Sequence, residues 1–169
     1  QGTVSGTSGI TAAAGRSLRF DGNVTLAAGN TGTTLPGLVQ LDGLTWNSHT
    51  GISMGTVTLS GGPVNITSNN SAISYTGPVD GPENLTLTAG TADISFSTGV
   101  GQSTRIDRLQ VVSAKDVTFS ANVAAESLLQ SAGTGTTTFG GTVNTDSSAG
   151  VSITSTNFRA VGTVTTTAS

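Results

Sequence analysis

The chain has 169 residues, of which only 9% are charged, and its formal net charge is −3. Its six basic residues give no electrostatic footprint for nucleic acid or for an anionic bilayer surface, and no apolar run approaches a membrane span. The absence of cysteine excludes disulfides, thiolate metal sites and cysteine nucleophiles.

The composition predicts an all-β fold with almost no helix. The chain holds 24 glycines and is rich in threonine, serine and valine. Threonine and valine favour pleated strands, and glycine supplies the backbone angles that tight corners need. Helix-friendly stretches such as Ala12 to Ala14 are only about one turn long, which is too short to be stable.

Strands centred on the few aromatic residues follow one another along the chain. In order, the aromatic residues are Phe20, Trp46, Tyr75, Phe96, Phe119, Phe139 and Phe158. The last five are separated by 21, 23, 20 and 19 residues. A regular period of this length is typical of a solenoid.

Most aromatic residues share one local frame of alternating side chains. The copies are Phe20-Asp-Gly-Asn-Val24, Tyr75-Thr-Gly-Pro-Val79, Phe96-Ser-Thr-Gly-Val100, Phe119-Ser-Ala-Asn-Val123 and Phe139-Gly-Gly-Thr-Val143. Two residues before the aromatic, the same face carries Leu18, Leu44, Ile73, Ile94, Val117 and Thr137. The intervening residues, such as Arg19, Asp21 and Asn23, are polar, so each copy predicts a half-buried strand.

A small residue lies two positions after each aromatic and predicts a corner. These residues are Gly22, Ser48, Gly77, Thr98, Ala121, Gly141 and Ala160. A larger inward side chain there would collide with the coil above or below. A second strand precedes the aromatic by about ten residues, for example at Leu85 and Leu87, so each coil has two or three strands.

These elements predict a parallel β-solenoid of about 7 to 8 coils of roughly 20 residues, with the aromatics stacked as an internal ladder. We expect one domain over residues 1–169, with irregular coils in 1–70 and regular coils in 71–160. Between Trp46 and Tyr75 we expect an extra partial coil or a protruding loop. Val161 predicts a bulge or slip in the final coil. Because Gln1 opens the chain without a methionine or leader, we expect a segment of a longer protein.

Several stretches resemble the repeats of filamentous haemagglutinin-like adhesins and related giant bacterial β-helix exoproteins. They are Ser74-Tyr-Thr-Gly-Pro-Val-Asp80, Glu83-Asn-Leu-Thr-Leu-Thr-Ala-Gly90 and Ser131-Ala-Gly-Thr-Gly-Thr-Thr-Thr-Phe-Gly-Gly-Thr-Val-Asn144. The resemblance covers roughly residues 70–160 well and the first 60 loosely. It implies a right-handed parallel β-helix, secretion, and a role as a stalk or adhesive filament at the cell surface.

Asp93 and Asp116 form one acidic constellation with a chemical interpretation. Both lie three residues before an aromatic, so adjacent coils would place them about 4.8 Å apart. That spacing suits a retaining glycosidase pair or a calcium site. We favour two solvated carboxylates neutralised by Lys115, with Arg105 and Arg108 as further candidates.

Other candidate residues have simpler interpretations. Asp80 and Glu83 lie in an Asp-Gly-Pro-Glu turn, and an ordinary turn is favoured over a calcium site. His49 is the only histidine, so a catalytic triad or metal centre has no partner for it. Gly133-Thr-Gly135 and Gly140-Gly141 are interpreted as corners. Asn-x-Ser/Thr sequons begin at Asn23, Asn65, Asn69 and Asn84.

We therefore predict a structural or adhesive segment of a large secreted bacterial surface protein, acting as a rigid rod or filament-forming unit. No catalytic, cofactor or metal residue is assigned, and we predict no enzyme. The predicted partners are a second copy, end to end through the terminal coils, and a glycan or host-surface ligand. One alternative is a module that binds carbohydrate, ice or mineral through threonine rows such as Thr86 with Thr88 and Thr136 with Thr138. A second is a polysaccharide-processing enzyme on a β-helix scaffold.

Overall fold

The computed structural model describes residues 3–167, which form short β-strands and, within that range, no helix. Threonine, serine and valine fill the strands and glycine lies at many of the turns, as the composition predicts. The strands are β1 (Val4–Gly6), β2 (Ile10–Thr11), β3 (Ser17–Phe20), β4 (Val24–Leu26), β5 (Thr33–Asp42), β6 (Thr45–Ser48), β7 (Ile52–Ser60), β8 (Val64–Ser68), β9 (Ile73–Tyr75), β10 (Val79–Asp80), β11 (Leu85–Thr88), β12 (Ile94–Phe96), β13 (Ile106–Ser113), β14 (Val117–Phe119), β15 (Val123–Gln130), β16 (Thr136–Phe139), β17 (Val143–Thr145), β18 (Val151–Ile153), β19 (Asn157–Ala160) and β20 (Val164–Thr166).

All strand pairs are parallel and join equivalent positions of successive coils, so the predicted β-solenoid is confirmed. The chain makes about eight turns of roughly 21 residues. The strands form two ten-stranded sheets, one ordered β1-β4-β6-β8-β11-β13-β15-β17-β20 with β18 beside β15, the other β19-β16-β14-β12-β9-β7-β5-β2 with β3 and β10 beside β5 and β7. A parallel neighbour needs a long return connection, and here each turn of the coil provides it.

Inward side chains at equivalent positions form columns along the axis, and three of these columns define the register of the coils. The valine column is Leu18, Val39, Val57, Val79, Val100, Val123, Val143 and Val164. The aromatic column is Leu35, Met54, Tyr75, Phe96, Phe119, Phe139 and Ala160. The third column is Val24, Trp46, Ile66, Leu87, Val111, Gln130 and Ile153. They belong to one continuous core, which also contains further inward residues such as Ile73, Ile94 and Leu109.

The predicted aromatic ladder is confirmed for four residues of the aromatic column. Tyr75, Phe96 and Phe119 stack with ring centroids 4.8 Å apart at both steps, and Phe139 follows at 5.4 Å with a tilted ring. These distances match the spacing of parallel strands, so the coil repeat itself sets the ring separation. Such pairs add about 0.5–1.5 kcal/mol each beyond simple burial.

The single ladder of seven aromatics is wrong for Phe20, Trp46 and Phe158. Phe20 pairs with Leu41 beyond the valine column, Trp46 lies in the third column, and Phe158 pairs with Thr137. The rings still meet neighbours edge to face, Phe20 with Trp46 at 5.0 Å and Phe158 with Phe139 at 5.3 Å. Side chains alternate between inward and outward along every strand, so the sequence pattern shows that an aromatic residue points inward but does not identify its column.

The sequence predicted two irregularities, one between Trp46 and Tyr75 and one at Val161. Between Trp46 and Tyr75, β7 and β8 provide additional coil, with Met54 in the aromatic column directly before Tyr75, so of the two predicted alternatives the extra coil is correct and the protruding loop is wrong. In the last coil, Val164 pairs with Val143 without a register shift, and Val161 is an exposed residue. The predicted bulge at Val161 is therefore wrong. The register shifts between Leu35 and Leu38, where β5 pairs with β7, and between Leu87 and Thr88, where β11 pairs with β13.

Glycine at two of the predicted corners is required by the coil below. A Cβ atom on Gly77 would lie 2.6 Å from the amide nitrogen of Thr56, and one on Gly141 would lie 2.5 Å from the carbonyl carbon of Ala121. Backbone atoms cannot swing away as a flexible side chain does. The small residue after the aromatic is therefore a consequence of close coil-to-coil approach.

Candidate functional site

Asp93 and Asp116 lie on adjacent coils, as predicted, because the strands that follow them pair Ile94 with Val117. Their carboxylates bind backbone amides of the next coil. The amide of Asp116 donates to Oδ1 of Asp93 at 3.2 Å, and the amide of Thr136 donates to Oδ1 of Asp116 at 2.6 Å. These bonds join three successive coils at the start of β12, β14 and β16.

The electrostatics of Asp116 oppose a role as a catalytic acid. The hydrogen bond from the Thr136 amide, followed by the contact with Lys115, holds the pKa of Asp116 below its usual value. The Lys115 ammonium lies 3.3 Å from the other carboxylate oxygen. A glycosidase general acid needs a raised pKa so that it is protonated near neutral pH. The arrangement suits an ionised carboxylate that accepts hydrogen bonds.

Other outward Asp and Asn side chains use the same device at other corners. Each accepts a hydrogen bond from a backbone amide one coil further along, where the strand ladder is interrupted. The pairs are Asn23 with Thr45 at 2.9 Å, Asn70 with Thr91 at 3.0 Å, Asp80 with Ser103 at 2.8 Å, Asn84 with Arg108 at 3.1 Å and Asn122 with Thr142 at 2.9 Å. An amide left without a partner costs free energy, so these side chains stabilise the coil-to-coil stack.

Asp80 and Glu83 lie in the turn between β10 and β11, as the sequence predicts. The Asp80 carboxylate also accepts the amide of Thr104 at 3.4 Å, and the Glu83 amide donates to the Gly81 carbonyl at 2.9 Å. Among residues 3–167, no group of three or more His, Asp or Glu side chains lies together in a way that would hold a metal ion.

Arg105 does not neutralise the Asp93 and Asp116 pair. Its guanidinium donates to the carbonyl of Ala125 at 2.8 Å and to the carbonyl and side-chain oxygens of Asn144 at 3.0 and 2.6 Å. It also lies 3.2 Å from the carboxylate of Asp146. One side chain thus binds the two coils that follow its own.

His49 and the four sequons occupy outward positions. A ring nitrogen of His49, Nδ1, lies 3.1 Å from the Leu26 carbonyl of the preceding coil. The Asn23 and Asn84 side chains are engaged by the next coil, whereas Asn65 and Asn69 are exposed on and beside β8. The predicted corner glycines Gly133 to Gly135 and Gly140 to Gly141 lie beside β16.

An unbroken row of hydroxyl groups is a surface feature that the sequence interpretation missed. At one outward register position, seven successive coils carry Thr11, Thr34, Ser53, Ser74, Ser95, Thr118 and Thr138. We call this set the hydroxyl row. Each member directly precedes the aromatic column or its continuation, so the residue before each of Tyr75, Phe96, Phe119 and Phe139 was the available signal. The row was hard to recognise before Leu35 and Met54, because these two residues occupy the aromatic column without being aromatic.

The hydroxyl row borders an open groove on the outer face of β12, β14 and β16. The groove is lined by Asp93, Ser95, Asp116, Thr118, Thr136 and Thr138. It is therefore both hydroxyl-rich and acidic. By contrast, Thr86 on β11 pairs with Asn65 and Gln110 in the two neighbouring coils, so no row of hydroxyls passes through it. Thr88 pairs with Thr67 and Ser113, which gives a shorter row of three hydroxyls.

Comparison with known proteins identifies no relative, since no family model, curated protein or solved structure matches the chain. The likeness to filamentous haemagglutinin-like adhesins therefore stays a resemblance. Within residues 3–167 there is no helix both long and apolar enough to cross a membrane.

Proposed function

We propose that the chain is a structural or adhesive segment of a large secreted bacterial surface protein, in which it acts as a rigid rod. The observation that carries this proposal is the continuous parallel pairing of strands from β1 to β20 around one apolar core. About eight coils at a spacing of about 4.8 Å give an axial length of about 40 Å.

Hydrogen bonds from polar side chains between successive coils also support the role of a rigid rod. Outward Asp and Asn side chains cross-link one coil to the next, and Arg105 reaches across two coils. A quasi-one-dimensional stack of this kind gains stability from each neighbouring interface, and its length is set by the number of coils. The proposed mechanism is geometric, because the segment would hold a distal element at a fixed distance.

A coil deletion tests whether the segment is a spacer. Removal of residues 79–99 joins Pro78 to Val100, which occupies the same column position as Val79. We expect a folded rod that is shorter by about 5 Å in small-angle X-ray scattering. As a control, removal of ten residues, 79–88, puts the columns out of register and should abolish cooperative unfolding. A compact particle for the wild-type chain would contradict the proposal.

The hydroxyl row favours a second candidate function, the binding of a carbohydrate, ice or mineral surface. Seven hydroxyls about 4.8 Å apart form a regular array of donors and acceptors. The test is a glycan array and a thermal-hysteresis measurement on the wild type and on Ser95→Tyr. Thr86→Tyr, on the other sheet, is the matched control. Binding that S95Y removes and T86Y keeps would support this function; no binding by the wild type would end it.

We also propose that the chain is not an enzyme. The carboxylates of Asp93 and Asp116 are engaged by backbone amides, and the pKa of Asp116 is lowered. The expected result is no cleavage of polysaccharides by the wild type. Cleavage that is lost in Asp93→Asn, with folding retained, would contradict this proposal and restore the glycan-processing alternative.

A further inference from the structure

The open groove over β12, β14 and β16 continues along the solenoid axis over β9, β7 and β5. Ala72 lines both parts, and the second part is also lined by Gly32, Thr34, Gly51 and Ser53. These strands are successive members of one sheet. At about 4.8 Å per coil the groove is about 24 Å long, so its shape suits an extended chain that lies along the axis.

Beside the hydroxyl row, the groove follows residues that each come directly before one of these strands. We call this set the corner row, and it consists of Gly32, Gly51, Ala72, Asp93 and Asp116. Backbone hydrogen bonds stack its members from coil to coil, as in the bond from the Ile52 amide to the Ala72 carbonyl at 2.9 Å. The first two members have no side chain and the third has only a methyl group, so the surface is low in this half of the groove.

Glycine at position 51 is not required by the fold. Its φ angle lies outside the left-handed region, and a Cβ atom on Gly51 would lie 3.5 Å from the Ala72 carbonyl oxygen, which is an ordinary contact. Gly77, by contrast, is required by the backbone of the coil below. The depression at Gly51 is therefore open space on the surface, and a side chain could fill it without disturbing the coil stack.

The hydroxyl groups along the groove are available to a ligand. The Ser74 hydroxyl donates to the Ile52 carbonyl at 3.4 Å. Within residues 3–167, the other side chains of the hydroxyl row that line the groove form no hydrogen bond, namely Thr34, Ser53, Ser95, Thr118 and Thr138. Each hydroxyl offers one donor and two acceptor positions, which matches a ligand that itself carries hydroxyl groups along its length.

The charge of the groove favours a cationic group at Asp93. The Lys115 ammonium pairs with Asp116, whereas Asp93 forms no ion pair with any of the described residues. Asp93 is exposed, and no lysine, arginine or histidine of the described chain lines either part of the groove. Hydrogen bonds between an ammonium group and a carboxylate are about twice as strong as neutral ones.

Other classes of extended ligand fit the groove less well. A peptide strand cannot add to it, because strands β5 to β16 of this sheet are already paired on both edges. A nucleic acid or an acidic polysaccharide would bring negative charge to Asp93 and Asp116 without any basic side chain in the lining. A flat ice or mineral surface would meet the hydroxyl row and leave the low surface at Gly51 empty.

We propose that this groove binds a linear polysaccharide of amino sugars, with its chain along the solenoid axis, its hydroxyls on the hydroxyl row and an ammonium group at Asp93. The inference rests on the adhesive role proposed for the chain and names the class of ligand that the rod would hold. The acidic half of the groove binds the charged group, and the half at Gly51 holds the continuing sugar chain.

The charge contact is tested by isothermal titration with a glucosamine oligomer at mildly acidic pH, where the sugar amines are protonated. We expect the Asp93→Asn variant to bind about tenfold more weakly or worse, because it loses a charge-assisted hydrogen bond. Asparagine keeps an oxygen that can accept the Asp116 amide, so the fold should be retained. Glu126→Gln is the matched control, since it removes the same charge from an exposed position on β15 in the other sheet.

The position of the sugar chain is tested by Gly51→Val, which fills the low part of the groove. We expect it to weaken binding of a long glucosamine oligomer and to leave binding of the disaccharide unchanged, because a disaccharide reaches only the acidic half. Thr58→Val is the matched control on the same strand, since Thr58 lies outward beyond Val57 of the valine column. It should bind both oligomers like the wild type.

Two further probes separate the outcomes. An N-acetylglucosamine oligomer should bind more weakly than the glucosamine oligomer and should not respond to Asp93→Asn, and a galacturonate oligomer should not bind. No binding of the glucosamine oligomer, equal losses in D93N and E126Q, or a preference for galacturonate would each overturn the inference. A wild-type chain that fails these tests but scatters as a rod about 40 Å long would keep its structural role. A particle that is not a rod would overturn that role instead.

Discussion

The interior coils and the terminal coils contain the same kinds of side chain in different surroundings. Phe96 on β12 is 1% exposed and stacks on rings from both sides, whereas Phe158 on β19 is 52% exposed and meets one ring. Both are inward phenylalanines in parallel strands. The difference shows that a coil obtains its core from its neighbours, as expected for a repeat stack.

Terminal coils should accordingly open at a lower free energy than interior coils. Each interior interface is buried on both sides, and its backbone amides are paired on both edges. At an end, half of these interactions are missing, so local opening costs less.

The largest expected effect comes from Phe96→Ala in the aromatic column. Loss of a fully buried ring that stacks at 4.8 Å on both sides should reduce the free energy of unfolding by about 3–5 kcal/mol. Phe158→Ala is the matched terminal variant and should cost only about 1 kcal/mol. Urea unfolding at low protein concentration measures both. Equal losses would abolish the distinction between interior and end.

The next effect is steric and is tested by Gly77→Val. Because its Cβ would lie 2.6 Å from the Thr56 amide nitrogen, the variant should lose about 1–3 kcal/mol of unfolding free energy. Gly162→Val meets similar crowding, 2.4 Å from the Gly141 carbonyl carbon, but lies in the last coil, where the backbone can move outward. A smaller loss in G162V than in G77V, from the same urea titrations, would sharpen the comparison.

Arg105→Lys tests the cross-link that reaches over two interior coils. Lysine cannot reproduce the planar fork that binds Ala125 and Asn144, so we expect a loss of about 1–2 kcal/mol. Arg19→Lys is the comparison near the amino end, where the pair with Asp42 spans one coil and Arg19 is 60% exposed. Its thermal midpoint should change less than that of R105K, and the reverse order would contradict the assignment.

The smallest expected effect is the pH dependence contributed by Asp116. Because folding lowers its pKa, the carboxylate stabilises the fold above its unfolded pKa of about 3.8, and this contribution is lost as the pH falls through the lowered folded value. Between pH 6 and pH 3, the wild type should therefore lose more unfolding free energy than Asp116→Asn.

The regular half of the fold could be predicted from the sequence because its columns contain recognisable residues. Tyr75, Phe96, Phe119 and Phe139 each precede a valine by four positions, and the structure places both sets in straight columns. The frame failed at Trp46, which has Thr50 where valine was required. The frame also failed at Phe158, which lies two residues before Ala160, the residue of that coil in the aromatic column. Both positions point inward, and an alternation with a period of two does not distinguish them.

The candidate site was predicted only in part. The adjacency of Asp93 and Asp116 followed from their common place before an aromatic residue. Their amide partners did not, since Thr136 is twenty residues from Asp116 along the chain and becomes a neighbour only through the coil. The hydroxyl row was missed for a similar reason, because Thr34 and Ser53 precede Leu35 and Met54 instead of rings.

The sequence by itself determined the class of fold, the strand alternation and the length of one turn, because these depend on local residue spacing and on the side-chain period of a strand. Only the tertiary structure decided which column each inward residue enters, which carboxylates bind backbone amides, and which apolar residues stay exposed at the ends. Those properties depend on the pairing of residues about twenty positions apart, and this pairing is fixed by coil-to-coil register.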